Sequence, residues 1–221
     1  MPLRAVVVGC SRGIGLALVE QLSARGDEVI GTCRQVVPAL QSMSIEVVSG
    51  VDVTKTHGIE RLVGALGRRS VDLLIHNAGV LTRETLDDLA ADRIRHQFEV
   101  NALAPLLTIA ALRPNLHAGS KVGIVTSRMG SIEDNTSGSM YGYRMSKAAV
   151  NAAGKSLAQD LRHDGVAVAL LHPGFVRTDM TRGKGYVDTG HSATGLIARL
   201  DALSLESTGR FWHADGPELP W

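Results

Sequence analysis

The 221-residue sequence contains only two cysteines, Cys10 and Cys33. So few exclude a disulfide scaffold, and their spacing fits no metal site, so both are expected to be reduced thiols at strand ends. An excess of one charge is also missing. The net charge of +1 provides no basic face for nucleic acid or an anionic membrane. No apolar run approaches a membrane span, and the one in "MPLRAVVVGCSRGIG" is too short for a signal-peptide core. A cytoplasmic location is expected. There is no linker, low-complexity tract or internal repeat, so residues 1–221 are expected to form one domain. With 44% hydrophobic and 20% charged residues, the chain is globular rather than disordered.

Apolar patterning alternates between the two regular periods. Strands are expected at 5–8, 28–32, 45–48, 71–76, 121–127, 166–174 and 210–212, and helices at 14–25, 59–66, 142–163 and 193–203. Residues 92–116 read as one long helix that Pro105 bends or divides. Near-continuous apolar strands between helices indicate a Rossmann-type, doubly wound parallel β-sheet with helices on both faces, an α/β fold. Residues 181–192 hold three glycines and few aliphatic anchors. They follow a strand's carboxyl end and read either as a loop without function or as a mobile substrate lid.

"GCSRGIG", Gly9–Gly15, lies between the first strand and the first helix. Gly9 permits a tight turn, while Gly13 and Gly15 remove side chains where a pyrophosphate or the sheet must come close. The helix start offers free N–H groups to a phosphate. After the second strand, "TCRQ" lacks the acid that would bind a ribose 2′-hydroxyl. Arg34 stands there instead, with Arg12 in the glycine loop. Two guanidinium groups suit a 2′-phosphate and hence NADP(H), although two solvated surface arginines would read the same. Asp52 could bond the adenine amino group or cap the next segment.

"YGYRMSK", Tyr141–Lys147, holds two tyrosines before a lysine. At about 100° per residue, Tyr143 and Lys147 share a helix face, whereas Tyr141 is turned away by roughly 120°. Only Tyr143 can set its phenol beside the ammonium. Alone, the pair could be an ordinary amphipathic one. A serine hydrolase built on Ser127 is excluded, because "TSRMG" is not a G-x-S-x-G elbow.

The glycine turn, "HNAG" at 76–79, Asn101, Ser127, "YRMSK" and "HPG" occur in that order. Together they resemble the short-chain dehydrogenase/reductase family along essentially the whole chain. Within it, "GSIEDNTSGSMYGYRMSKAAVNAAGKSL", "LHPGFVRTDM" and "DGPELPW" are similar to Sniffer-type carbonyl reductases and bacterial C-signal (C-factor-like) proteins. The resemblance implies a catalytic set of Asn101, Ser127, Tyr143 and Lys147. It implies a cofactor lined by Gly9, Ser11, Arg12, Gly13, Ile14, Gly15, Arg34, Asp52, Val53, Asn77, Ala78, Gly79, Tyr143, Lys147, Pro173, Gly174, Val176 and Thr178. Thr178 would meet the nicotinamide amide.

The sequence departs from the family pattern in three places. Val8 replaces a common threonine, His76 replaces an asparagine and reads as a structural strand-end residue, and the interval from Ser127 to Tyr143 is longer than in many relatives. The implied function is NADPH-dependent reduction of an aldehyde or ketone. The alternative is a dinucleotide-binding signalling or sensor protein with little turnover. Met129, Met140, Phe175 and Met180 are expected to line a pocket for a modest apolar carbonyl compound. The resemblance also implies a homodimer, or a tetramer, through helices 92–116 and 142–163. The small residues Ala148, Ala149, Ala152, Ala153 and Gly154 would permit close packing between subunits or within one.

Overall fold

The computed structural model describes residues 2–221. Its seven strands are β1 (Arg4–Val8), β2 (Glu28–Thr32), β3 (Glu46–Val48), β4 (Leu73–His76), β5 (Lys121–Val125), β6 (Ala167–His172) and β7 (Arg210–His213). They form one sheet in the order β3-β2-β1-β4-β5-β6-β7, every neighbouring pair parallel. Strand order reverses between β1 and β4, so their loops part there and open a crevice at the carboxyl edge.

Helices cover both faces. The helices are α1 (Gly13–Ala24), α2 (Pro38–Gln41), α3 (Thr56–Leu66), α4 (Ala91–Phe98), α5 (Ala104–Leu112), α6 (Tyr141–Asp160) and α7 (Thr189–Asp201). Strand alternation sorts the interior into two layers. Val7, Leu73 and Ile75 pack with Leu18 and Leu22 of α1 and Leu196 and Leu200 of α7. Val6, Leu74 and Ile124 pack with Leu62 of α3, Ile109 of α5 and Val150 of α6. Burial of both sheet faces explains why these strands read as continuous apolar runs.

Three details of these elements have local causes. Helix 92–116 is divided, not merely bent: α4 gives way to a π-helical segment, Glu99–Leu103, before α5 begins. Pro105 lacks an N–H, so the α-helical pattern cannot run through this point, and the wider turn lies just upstream. Residues 161–164 leave the α6 path as a 3-10 turn, and Gly165 closes it at φ 74°. The start of α7 at Thr189 shortens the irregular 181–192 segment, with Asp188 capping the helix through His191 N at 2.7 Å. No helix among the described residues is long and apolar enough to cross a membrane. Cys10 and Cys33 are both buried and free, and burial pushes the Cys10 thiol up to about 12.

Candidate active site

The loops after β1, β4, β5 and β6 meet at the carboxyl edge of the sheet. Gly9 turns the chain out of β1 at φ 86°, and its N–H donates to Thr32 O and Thr32 Oγ1, each at 3.2 Å. Asn77, after β4, donates from Nδ2 to Gly9 O at 2.7 Å and ties the two loops together. A Cβ on Gly15 would lie 2.1 Å from Gly9 O, and one on Gly9 would lie 2.9 Å from Ala78. Only glycine fits either place. Helix α1 starts with no side-chain cap and no acid in its first turn, which leaves main-chain donors and the positive end of its dipole for an anion. This cradle fits the pyrophosphate of a dinucleotide.

The two arginines differ in placement. Arg34 is exposed just beyond β2, with no acid at that strand end. Arg12 instead pairs with Asp179 at 2.9 Å across the crevice. Gly13 and Thr178 bring the same two loops together, since a Cβ on Gly13 would stand 3.4 Å from Thr178 Cγ2. Asp52 Oδ1 accepts from Thr54 N at 3.0 Å and from Thr54 Oγ1 at 2.8 Å, closing a turn ahead of α3. Those donors, with a smaller contribution from the Arg34 charge, hold its carboxyl below the usual range.

The candidate catalytic side chains gather on the α6 face toward the sheet. Tyr143, Lys147, Ser127 and Asn101 are all buried, whereas Tyr141 is only half-buried at the first turn. Lys147 Nζ lies 5.8 Å from the centre of the Tyr143 ring and donates to Val125 O at 3.0 Å. Burial pulls the Lys147 pKa down to about 8. Burial also pushes the Tyr143 phenol above its ordinary value, while the neighbouring Ser127 hydroxyl pulls the other way. Ser127 Oγ accepts from Met129 N at 3.2 Å, which orients the hydroxyl at the start of the following turn.

Asn101 occupies the π-helical segment. Its Nδ2 donates to Val80 O at 2.8 Å and Ser146 Oγ at 3.0 Å, and its Oδ1 accepts from Val80 N at 2.8 Å. The side chain is thereby committed to holding the loop after β4 against α6. Pro105, four residues on, has no N–H, so the Asn101 carbonyl lacks an α-helical donor and can accept from water.

Two positioning elements were missed from sequence. Glu84 is buried; its Oε2 accepts from Gly142 N at 3.1 Å and its Oε1 from Gln97 Nε2 at 2.9 Å. Its main-chain oxygen also takes Met140 N at 2.8 Å. A carboxylate at this end suits the helix dipole and fixes where α6, and hence Tyr143, begins. Met140, in the left-handed region at φ 57°, makes the entry turn. The second element is Trp221, whose main-chain oxygen accepts from Ile132 N at 3.1 Å, Glu133 N at 3.0 Å and Ser131 Oγ at 3.1 Å. It pins the long loop after Ser127. Neither residue had a sequence signal, because both act across long sequence separations.

Met129 and Met140 are half-buried, while Phe175 and Met180 are exposed on the segment after β6. Tyr186 packs edge-on against Phe175, with ring centres 5.5 Å apart. A cleft of about 520 Å³ adjoins that segment and is lined by Arg177, Thr178, Asp179, Arg182 and Gly183. A more apolar groove of about 590 Å³ runs between α3 and α5; Val53 lines it, but no candidate catalytic residue does. No group of three metal-ligating side chains occurs among the described residues.

Comparison with known proteins gives the same reading. A family model described as short chain dehydrogenase matches residues 4–186. A 1-hydroxy-2-glutathionyl-2-methyl-3-butene dehydrogenase of Rhodococcus sp. (strain AD45) is 46% identical over 98% of both chains. The C-signal protein of Myxococcus xanthus is 44% identical over 68% of this chain and 93% of its own. Two solved structures align over all of both chains. The carbonyl reductase Sniffer of D. melanogaster has a TM-score of 0.91 at 26% identity, and an NADPH-bound carbonyl reductase from chicken fatty liver has 0.90 at 28%. The chain belongs to the short-chain dehydrogenase/reductase family.

Proposed function

We propose that the protein is an NADP(H)-dependent oxidoreductase that reduces an aldehyde or ketone to an alcohol, with Tyr143 as proton donor. The observation that carries this reading is the burial of Tyr143, Lys147 and Ser127 together beside the glycine cradle. A nicotinamide cofactor supplies the hydride that no side chain can. The chain supplies the proton and the electrostatics. Tyr143 gives its phenolic proton to the carbonyl oxygen, and Ser127 donates a hydrogen bond to the same oxygen as charge develops there. Lys147, while an ammonium, favours the phenolate left behind and can hold the ribose hydroxyls. Water held at the Asn101 carbonyl connects Lys147 to solvent and restores the proton.

NADP(H) is favoured over NAD(H) by Arg34 and by the lack of an acid beside it, and a similar solved carbonyl reductase is NADPH-bound. Arg12 assists only by exchanging Asp179 for the 2′-phosphate. Met129, Met140, Phe175 and Met180 offer an adaptable apolar wall, and residues 181–188, ahead of α7, act as a lid over it. The relative named as dehydrogenating a glutathionyl alcohol makes such a compound a useful member of an assay panel, run in both directions. The resemblance to C-signal supports a second reading, a dinucleotide-binding signalling protein. That role has no need of a buried phenol–ammonium pair. Cofactor binding without turnover across a broad carbonyl panel would favour it.

Tyr143→Phe is expected to bind NADPH nearly as the wild type does and to lose carbonyl reduction by about 10²–10⁴-fold, whereas Tyr141→Phe keeps most activity. Steady-state kinetics and cofactor titration of both variants check this, and the reverse pattern would disprove the assignment.

A charged hydrogen bond contributes about 1.5–3 kcal/mol, roughly ten- to a hundredfold in affinity. Arg34→Asp should therefore lower kcat/KM for NADPH by that factor and leave NADH use intact or improved. The wild-type preference should also narrow as salt rises. A wild-type preference for NADH would exclude the Arg34 role.

The protein is also proposed to be a homodimer, with a tetramer as the alternative. Leu106 and Leu107 of α5 and Met145 and Ala152 of α6 are exposed on the two helices concerned. Gly154 instead packs inward, where a Cβ would meet Leu170 at 2.7 Å. Light scattering at micromolar concentration should give twice the monomer mass; a monomer would refute the contact.

A further inference from the structure

His76 ends β4 and is 1% exposed, yet neither of its ring nitrogens meets a protein partner. A neutral imidazole has one N–H donor and one acceptor, and leaving both without a partner in the interior is costly. Alternation along β4 sets its direction. His76 lies two residues after Leu74 and so faces the layer that holds Ala102, Ile109 and Val150. That layer contains two more buried polar atoms without partners, Thr108 Oγ1 on α5 and Asn151 Nδ2 on α6. Asn151 is one helical turn after Lys147, and its Oδ1 accepts from Thr126 Oγ1 at 2.6 Å.

Lys147 reaches the same region from above. Its Nζ bonds Val125 O, and Val125 follows Ile124, the register partner of His76. A Cβ on Gly79, three residues after His76, would lie 3.7 Å from Lys147 Nζ, so the ammonium sits over the end of β4. After burial, the Lys147 charge is the next cause keeping the His76 ring neutral.

We propose that His76 is a positioning residue for Lys147: its unprotonated ring nitrogen accepts, through one buried water, a hydrogen bond from the ammonium. This rests on Lys147 being part of the active site. In the cofactor-free protein one N–H of Lys147 goes to Val125 O, one goes to this water, and the third turns toward the Tyr143 side; a bound cofactor's ribose and the Asn101-held water then share those last two donors. A firmly held ammonium aims its charge at the phenol instead of wandering toward solvent.

The groups around the Lys147 ammonium are Tyr143 on its own helix, Asn101 in the π-helical segment, His76 on β4 and His172 on β6, with Ser127 bonded to Tyr143 and Arg128 acting on His172. His76 and His172 are both pushed down to about 3, chiefly by burial, so they stay neutral throughout the working range. The pKa of Lys147 is about 8, so the charged form that catalysis needs is lost as pH rises through that value. Removing an acceptor from the ammonium lowers this midpoint further and moves the alkaline limb of activity toward lower pH.

The test is NMR titration of the Lys147 ε-carbon in the cofactor-free protein, comparing wild type, His76→Leu and His76→Gln. Removal of the acceptor in His76→Leu should lower the midpoint by about one unit, a tenfold change in proton affinity. His76→Gln keeps an acceptor and should stay near wild type. The alkaline limb of kcat/KM should move with the midpoint. An unmoved midpoint in His76→Leu, or equal falls in both variants, would overturn the proposal. If His76→Leu does not fold, the ¹⁵N resonance of the unprotonated His76 nitrogen decides. It should shift between wild type and Lys147→Met, and no shift would refute the link. The NMR measurements need no turnover, so their outcome is independent of whether carbonyl reduction is found.

Discussion

Placing an ammonium inside the protein is the constraint around which the rest of the site is organised. Lys147 is 4% exposed, and burial alone pulls its pKa down to about 8. A buried cation persists only where the surroundings repay its lost hydration. Here Val125 O, at the carboxyl edge of a parallel sheet, accepts directly from the ammonium, and in the proposed function a cofactor's hydroxyls would add to it. The same charge makes a buried phenol useful. Burial drives Tyr143 away from ionisation; in the proposed reaction, positive charge from Lys147 and an oxidised nicotinamide would offset that penalty.

Holding this pair in place draws on distant parts of the chain. Glu84 fixes the start of α6, Asn101 ties the loop after β4 to Ser146, and Trp221 holds the loop after Ser127. Each contact links segments far apart in sequence, and an offset of about 1 Å between reacting groups can cost a hundredfold in rate. The π-helical segment belongs to the same set, because a regular α-helix through residues 99–103 would both require an N–H from Pro105 and turn Asn101 differently.

Much of this was legible in the sequence, for physical reasons. Strands buried on both faces must be continuously apolar, so "VDLLIH" and "VAVALLH" announced themselves. The choice of Tyr143 over Tyr141 followed from helix geometry, and the glycine turn from close approach that admits no Cβ. The four-residue helix α2 was not legible, being too short to carry a period. Nor was the role of Glu84, which looks like any loop carboxylate until α6 is brought against it. The partnership of Arg12 with Asp179, 167 residues apart, has no local signature either.

The central claim is that Tyr143 is a phenol held un-ionised by burial and made acidic by positive charge. Ultraviolet titration of tyrosinate tests it directly, with and without NADP⁺, in the wild type and in Tyr143→Phe. The account predicts that, of Tyr141, Tyr143 and Tyr186, one ionises at markedly lower pH once NADP⁺ is bound, and that this component is missing from the variant. An NADP⁺-independent titration curve, or a shifted component that survives in Tyr143→Phe, would contradict it.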